Sequence, residues 1–266
     1  MDVSYPLTAA AGRVRADAST VTIPQYSRRA ILAIWAAAAL PMGALAWLVA
    51  PVVSHHLSGQ GNLPLVKALL ALLTAGLVLQ FVLVAALVWR EQRSLRWSTV
   101  RDALWLNKPR SPRSGRSGGK LWLLLIPLIL LEGAEQLLPE PGSVSSHSFG
   151  RFLDSHAAQT FFHGNWSWFA VVVVLGVFNT VLGEELLFRG FLLRRMNGAF
   201  RRGDWLVNGV LFAAYHLHEP WVFLSPLADS FVIAYPTKRY RSAWIGIGVH
   251  SIQTVAITAI VLGMVL

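Results

Sequence analysis

Two adjacent glutamates at the end of an apolar run are the residues of this chain best suited to chemistry. They lie in the segment 183–189 (GEELLFR), which follows a long apolar stretch. Glu185 and Arg189 are four residues apart, so on a helix they share one face and can form an ion pair. Glu184 is rotated off that face and has no cation nearby in the sequence. Because ionisable groups in membrane segments are costly and usually functional, we predict that Glu184 is the carboxylate available for chemistry.

Two histidines in later apolar segments can join this glutamate. A basic turn near 201–204 separates the segment of Glu184 from that of His216. Antiparallel packing across this turn sets the two side chains at similar depth, at roughly 26 and 19 Å from it. His250 follows a second basic turn at 238–241 and starts from the same side. The spacing therefore permits all three side chains to meet in one half of a membrane.

The composition predicts the scaffold that positions these residues. Of 266 residues, 55% are hydrophobic and 14% charged, and the mean hydropathy is +0.52. A membrane-spanning helix needs roughly 20 apolar residues. We predict an all-α, polytopic integral membrane helix bundle with about seven (six to eight) transmembrane helices, at 30–53, 65–89, 120–138, 166–186, 205–218, 221–235 and 243–266. The chain has no cysteine, which excludes disulfides and thiolate metal sites.

Positive charge is concentrated on one predicted face of the bundle. This face holds 21 of the 23 Lys and Arg residues, in the stretches 1–29, 90–120, 189–202 and 238–241. The positive-inside rule makes it cytoplasmic, which predicts a multi-pass cell-membrane protein with a cytoplasmic N-terminus. Trp- and Ala-rich helices without cysteine favour a bacterial membrane. We interpret the basic loops as topology signals and contacts with the lipid bilayer, and we expect no nucleic-acid partner. Residues 1–27 form a cytoplasmic tail and 28–266 one membrane domain.

Three sequence motifs resemble those of the CPBP family, the CAAX prenyl protease and bacteriocin-processing intramembrane proteases, also called the ABI family. The resemblance covers a catalytic core at about 166–254. The chain departs from the family in the third motif, which usually has asparagine four residues after the histidine. The matching positions are Glu184-Glu185-x-x-x-Arg189, Phe212-x-x-x-His216 and His250 followed by Thr254.

The resemblance implies an intramembrane endopeptidase that cleaves membrane-associated peptides or proteins with glutamate-activated water. When the family's roles are transferred to the matching positions, Glu184 is the general base and holds the attacking water together with His216. His250, helped by Thr254, stabilises the tetrahedral oxyanion. Glu185 and Arg189 orient the helix. A threonine hydroxyl donates one hydrogen bond but lacks the reach of the amide.

Alternatives to this chemistry remain open at the level of sequence. Glu184, His216 and His250 offer the N and O ligands of a catalytic zinc. The chain has no His-Glu-x-x-His helix, so we favour a reaction without a metal cofactor. Because Thr254 stands where the family usually has asparagine, the sequence also allows a catalytically inactive membrane scaffold or immunity factor of the same fold. A small membrane transporter with a charge relay is the third possibility.

Three further carboxylates have no assigned role. Glu132 and Glu135 are close to Pro139 at the end of the third predicted span, so we expect them at the membrane interface. Asp229 lies within the sixth apolar run, where it lines a cavity or pairs with a polar group. His218 and Glu219 are expected in an external turn beside Pro220.

Overall fold

The structure is a computed structural model that describes residues 22–57, 63–135, 137–144 and 146–266. These residues form helices joined by turns, and the described ranges contain no β-strand beyond the isolated bridge between Arg110 and Ser117. The all-α prediction is therefore confirmed. Of the predicted tail at 1–27, residues 1–21 lie outside the described residues.

The described helices follow one another with short connections. Single 3₁₀ turns at Gly119–Leu124, Arg201–Gly203 and Pro220–Phe223 precede α4, α9 and α10. In chain order the helices are α1 (Arg28–Leu57), α2 (Pro64–Gln92), α3 (Trp97–Ala103), α4 (Leu125–Glu135), α5 (Phe149–Leu153), α6 (His156–Phe162), α7 (Trp166–Arg195), α8 (Asn197–Phe200), α9 (Asp204–Tyr215), α10 (224–240) and α11 (Ala243–Val265).

Four of the seven predicted spans form helices long and apolar enough to cross a membrane. They are α1, α2, α7 and α11, with 30, 29, 30 and 23 residues. The other predicted spans form shorter helices: α4 has 11 residues and α9 has 12. In the sixth predicted span, the helix begins only after the 3₁₀ turn at Pro220. Because a span needs about 20 residues, the count of seven is not confirmed.

Three of the helices contain π turns, in which each backbone hydrogen bond reaches one residue further than in an α-helix. Such turns are rare and frequently occur at functional sites. Two of them lie in α7, on either side of Glu184 and Glu185. The π turns are Leu45–Val49 in α1, Phe178–Gly183 and Leu186–Leu192 in α7, and Ser230–Ala234 in α10.

Apolar side chains cover both the inside and the outside of the bundle. The interior is packed around Ile31, Met42, Leu77, Leu187, Phe188 and Phe212. The exposed outer faces carry Leu40, Leu48, Leu79, Leu130, Val255 and Ile260. Large exposed apolar faces are unfavourable in water, whereas a lipid environment accepts them. The long helices and their apolar outer faces therefore indicate a membrane protein.

Candidate active site

The two glutamates of α7 are completely enclosed by the bundle. Glu184 is 1% exposed and Glu185 is 0% exposed. They lie where α7 is packed against α2 and α11. Burying a carboxylate is costly unless it is paired or hydrogen-bonded, so each of the two requires a partner.

Arg189 is the partner of Glu185, as the sequence predicts. Its Nη1 lies 3.2 Å from Glu185 Oε1, and both side chains are fully buried. The same guanidinium reaches a second carboxylate, because its Nη2 is 3.9 Å from Asp229 Oδ2 in α10. It also lies over the ring of Phe212 in α9, with Cζ 3.8 Å from the ring centroid. Arg189 therefore links three helices through ionic and cation–π contacts.

His250 lies between the two glutamates. Its Nδ1 is 3.3 Å from Glu185 Oε1, and its Nε2 is 4.0 Å from Glu184 Oε2. An ionised carboxylate can only accept hydrogen bonds, so the contact with Glu185 favours a proton on Nδ1. In this orientation the other ring nitrogen faces Glu184. The partner of Glu184 thus comes from a distant helix and not from its own.

A glycine allows α11 to approach so closely. Gly246 lies one turn before His250, and its backbone packs directly against the Glu185 carboxylate. A Cβ built at Gly246 would overlap Glu185 Oε2 and would come within 3.0 Å of Ile233 Cγ2. Only the missing side chain therefore lets the imidazole reach the glutamates.

His216 directly follows α9 and faces the same region from the other side. Its Nδ1 lies 2.9 Å from the carbonyl oxygen of Phe212. Since a carbonyl can only accept, Nδ1 carries a proton, and in the neutral form of the ring Nε2 is the nitrogen with the free lone pair. No hydrogen bond or ion pair joins His216 to Glu184 in the described part of the chain. The Tyr215 hydroxyl is adjacent to the Glu184 carboxylate, although no aligned hydrogen bond connects them.

Thr254 contacts α7 one turn beyond His250. Its hydroxyl is 3.3 Å from Thr180 Oγ1 and 3.4 Å from the carbonyl oxygen of Gly176. A Cβ at Gly176 would come within 2.5 Å of the Thr254 methyl group, so the two helices are in close contact here. The hydroxyl of Thr254 therefore joins α7 and α11.

A cavity of about 240 Å³ adjoins the two histidines. His216, His250 and Thr254 line it, whereas Glu184 is not among its lining residues in the described structure. The cavity therefore combines four imidazole groups, those of His147, His216, His218 and His250, with apolar side chains. Apolar side chains of α2, α7 and α11 form part of its wall, among them Leu69, Leu70, Leu73, Val172, Leu175 and Ile257.

Three buried carboxylates also face this cavity. Glu132 and Glu135 of α4 are 4% and 7% exposed, and an oxygen of each lies within 4.8 Å of the other and of Asp229. These two side chains are therefore packed inside the protein, and their predicted level at the membrane interface stays a prediction. They are three residues apart and share one face of α4, which packs against α10 and α11. For Asp229 both predicted options hold, since it lines the cavity and also approaches Arg189.

The residues proposed for zinc are arranged differently from this carboxylate cluster. Among the described residues, Glu132, Glu135 and Asp229 form the only set of three metal-type ligands with all donor atoms within 4.8 Å of one another. Glu184, His216 and His250 have suitable donor chemistry but do not form such a set in this arrangement.

Sequence reasoning missed two contributors to this region. Gly246 could have been found, because a small residue one turn before a membrane histidine permits close helix packing. The carboxylate cluster had a partial signal, since Glu132 and Glu135 show helical spacing on an apolar segment. Its third member comes from α10, and no local pattern connects α10 with α4.

These features define a helical membrane protein with a buried glutamate–histidine pair beside a cavity. Residues 165–256 match the family model described as Type II CAAX prenyl endopeptidase Rce1-like. This match confirms the predicted resemblance to the CPBP family over nearly the same residues. It supports a protease of the CAAX endopeptidase type, embedded in a membrane and acting on a peptide or protein. No curated protein and no solved structure matches the chain.

Proposed function

We propose that this chain is an intramembrane endopeptidase in which Glu184 activates the water that attacks the peptide bond. The observation that carries the proposal is the pairing of a 1% exposed glutamate with His250, at 4.0 Å, beside a cavity. A buried carboxylate with a single imidazole neighbour has the environment of a general base. The match at 165–256 supports the same class of reaction.

The proposed roles of the two histidines follow from their hydrogen bonds. His216 donates from Nδ1 to Phe212 O, so its Nε2 can accept a hydrogen bond from the attacking water. His250 is held by Glu185, and Arg189 balances the charge of that glutamate. A protonated His250 can then donate to the oxyanion of the tetrahedral intermediate. One such donor in a dry site is typically worth about 3–4 kcal/mol of transition-state stabilisation.

The substrate chain is proposed to bind in the cavity between the two histidines. Its apolar walls suit a hydrophobic segment of a membrane-associated peptide or protein. Because Glu184 is almost completely buried, water reaches it from this cavity. Thr254 has a secondary role in this scheme, since its hydroxyl already bonds across to α7.

One observation favours a second candidate function, a catalytically inactive membrane scaffold of the same fold. Thr254 occupies the position where the family usually has asparagine, and its hydroxyl is engaged in a contact between helices. A scaffold needs the packing of Glu185, Arg189 and Phe212 but not the free carboxylate of Glu184. The two functions therefore differ in their response to a change at Glu184 alone.

Cleavage of a quenched-fluorescent peptide library by the purified protein tests the proposal. We expect Glu184→Gln to lower the rate by about 10²–10⁴-fold, because the amide cannot accept a proton. Glu219→Gln is the matched control. It makes the same change at a glutamate that lines the cavity, and an amide oxygen can still accept the hydrogen bond from the Phe149 N–H. Unfolding temperatures of all three proteins show whether they are equally folded.

The outcomes separate the candidates. Cleavage by Glu184→Gln at the wild-type rate would refute the role of Glu184. A zinc chelator is expected to leave wild-type cleavage unchanged, and loss of cleavage on chelation would favour a zinc enzyme. If no peptide is cleaved while Glu184→Gln keeps the protein's role in cells, the scaffold is favoured.

A further inference from the structure

A second cavity, of about 1190 Å³, shares no lining residue with the cavity of the two histidines, and its charged lining residues are mostly cationic. We call it the basic cavity. Its charged side chains come from four separate segments: the loop before α4, the end of α7, the turn before α9 with the first residue of that helix, and the end of α10 with the residue that follows it. They are Arg110, Arg194, Arg202, Lys238, Arg239, Arg241 and a single carboxylate, Asp204.

Most of this positive charge is not neutralised by the protein. Asp204 forms an ion pair with Lys238. None of the five arginines forms an ion pair within the described residues. Like charges that converge on one cavity repel each other, and this repulsion is relieved when an anion binds. The cavity therefore has the charge expected of an anion site.

The basic cavity is held in place by hydrogen bonds between its segments. The Arg110 N–H donates to Tyr240 O at 2.8 Å, and the Ala243 N–H donates to Trp105 O at 2.8 Å. The Ser242 hydroxyl donates to Asn107 O at 2.6 Å. These bonds fix the loop before α4 against the ends of α10 and α11. The arginines therefore lie together because the fold holds their segments against each other, and not only because the chain is rich in arginine.

The location of the basic cavity indicates where its ligand comes from. Leu193 and Arg194 are at the end of α7, and Arg241 is two residues before the start of α11. Both helices are long enough to span the membrane, so their ends mark the level of the lipid headgroups. Trp105, Trp205 and Tyr235 line the same cavity. Tryptophan and tyrosine are enriched at this level of membrane proteins.

We propose that the basic cavity binds the phosphate headgroup of an anionic phospholipid. The planar guanidinium group suits phosphate oxygens because it can donate two parallel hydrogen bonds. The aromatic residues contact the glycerol and upper acyl region of the same lipid. This site is distinct from the cavity lined by His216 and His250, and it does not depend on the proposed catalytic reaction.

The test measures thermal unfolding of the purified full chain in detergent during titration with short-chain lipids. Dioctanoyl phosphatidylglycerol is expected to raise the unfolding temperature in a saturable way, because a ligand of the folded state stabilises it. Dioctanoyl phosphatidylcholine is expected to have no such effect. The variant Arg202→Gln/Arg239→Gln/Arg241→Gln should lose the stabilisation by phosphatidylglycerol.

The matched control removes three arginines from the same predicted face of the membrane. Arg90→Gln/Arg93→Gln/Arg96→Gln changes exposed side chains outside the basic cavity. Its Arg93 has φ 53°, as does Arg241, so the backbone strain of the two variants is also matched. The control variant should keep the wild-type affinity. If the first triple variant does not fold, Arg239→Gln alone should weaken phosphatidylglycerol binding by about tenfold.

Three results would overturn the proposal. The first is equal stabilisation by phosphatidylcholine. The second is an equal loss of lipid binding in the control variant, which would mean that only overall charge matters. The third is stabilisation by inorganic phosphate at the same concentration as the lipid, which would assign the cavity to a free phosphate.

Discussion

Replacing Arg189 by methionine is predicted to destabilise the protein strongly. The change removes the guanidinium that lies 3.2 Å from Glu185, and it takes away the contact with Asp229 at 3.9 Å. It also removes the cation–π contact with Phe212. All of these side chains are buried and Glu185 does not line the cavity, so its carboxylate cannot turn to water. Removing one partner of a buried pair typically costs about 3–5 kcal/mol, compared with at most about 1 kcal/mol for an exposed pair.

The assay is thermal unfolding in detergent, followed by the fluorescence of the chain's 11 tryptophans. A loss of 3–5 kcal/mol should lower the unfolding temperature by roughly 10 °C. The double variant Arg189→Met/Glu185→Gln should recover most of this loss, because it removes both charges of the pair. An unchanged unfolding temperature in Arg189→Met, or no recovery in the double variant, would refute the reasoning.

Arg195 provides a matched control for this experiment. It is also fully buried in α7, where it pairs with Glu91 at 2.5 Å and lies over the Phe191 ring at 3.7 Å. Arg195→Met should therefore cost a similar amount of stability. Arg195 does not contact Glu185 or His250, so the folded fraction of this variant should cleave peptides at the wild-type rate. Arg189→Met should lower both stability and cleavage.

Two further predictions concern packing and pH. Gly246→Ala should cost about 1–3 kcal/mol and reduce cleavage, because the new methyl group meets the Glu185 carboxylate. Gly263→Ala in the same helix, where a Cβ meets nothing within 4 Å, should cause no loss in either unfolding or cleavage assays. Burial raises the pKa of Glu219 to about 7, above its unfolded value of about 4.3. The fold therefore binds an extra proton between these values, and its free energy of unfolding should fall as the pH rises from about 4.5 to 7. Glu219→Gln should remove that part of the slope, and an unchanged pH profile in this variant would contradict the assignment.

The part of the site that depends on helical spacing could be predicted from the sequence. Glu185 and Arg189 pair because they are one turn apart, and this relation holds even though α7 contains π turns on both sides of the glutamates. The approach of His250 to Glu184 was also within reach, since the basic turns place both segments on one side. Both relations can be read from local features of the sequence, namely the helical periodicity and the positions of the basic turns.

The contacts between helices that are distant in sequence could not be predicted in this way. Asp229 meets Arg189 and the α4 glutamates only because α4, α10 and α11 pack together. Nothing in the apolar pattern of these segments specifies that neighbourhood. Hydropathy also does not register where α4 and α9 end, after 11 and 12 residues, so the predicted count of seven spans is not confirmed.

The separation of the site residues along the chain affects when the protein can first act. Glu185 and His250 are 65 residues apart, and Gly246 must be in place before the imidazole can reach the glutamates. A ribosome that has inserted α7 and α9 has therefore produced a chain with both carboxylates but without its second histidine. In the proposed mechanism, the nascent protein therefore cannot cleave its neighbours in the membrane until α11 arrives. For the proposed reaction, the order of synthesis thus has the effect that a removable propeptide has in proteases.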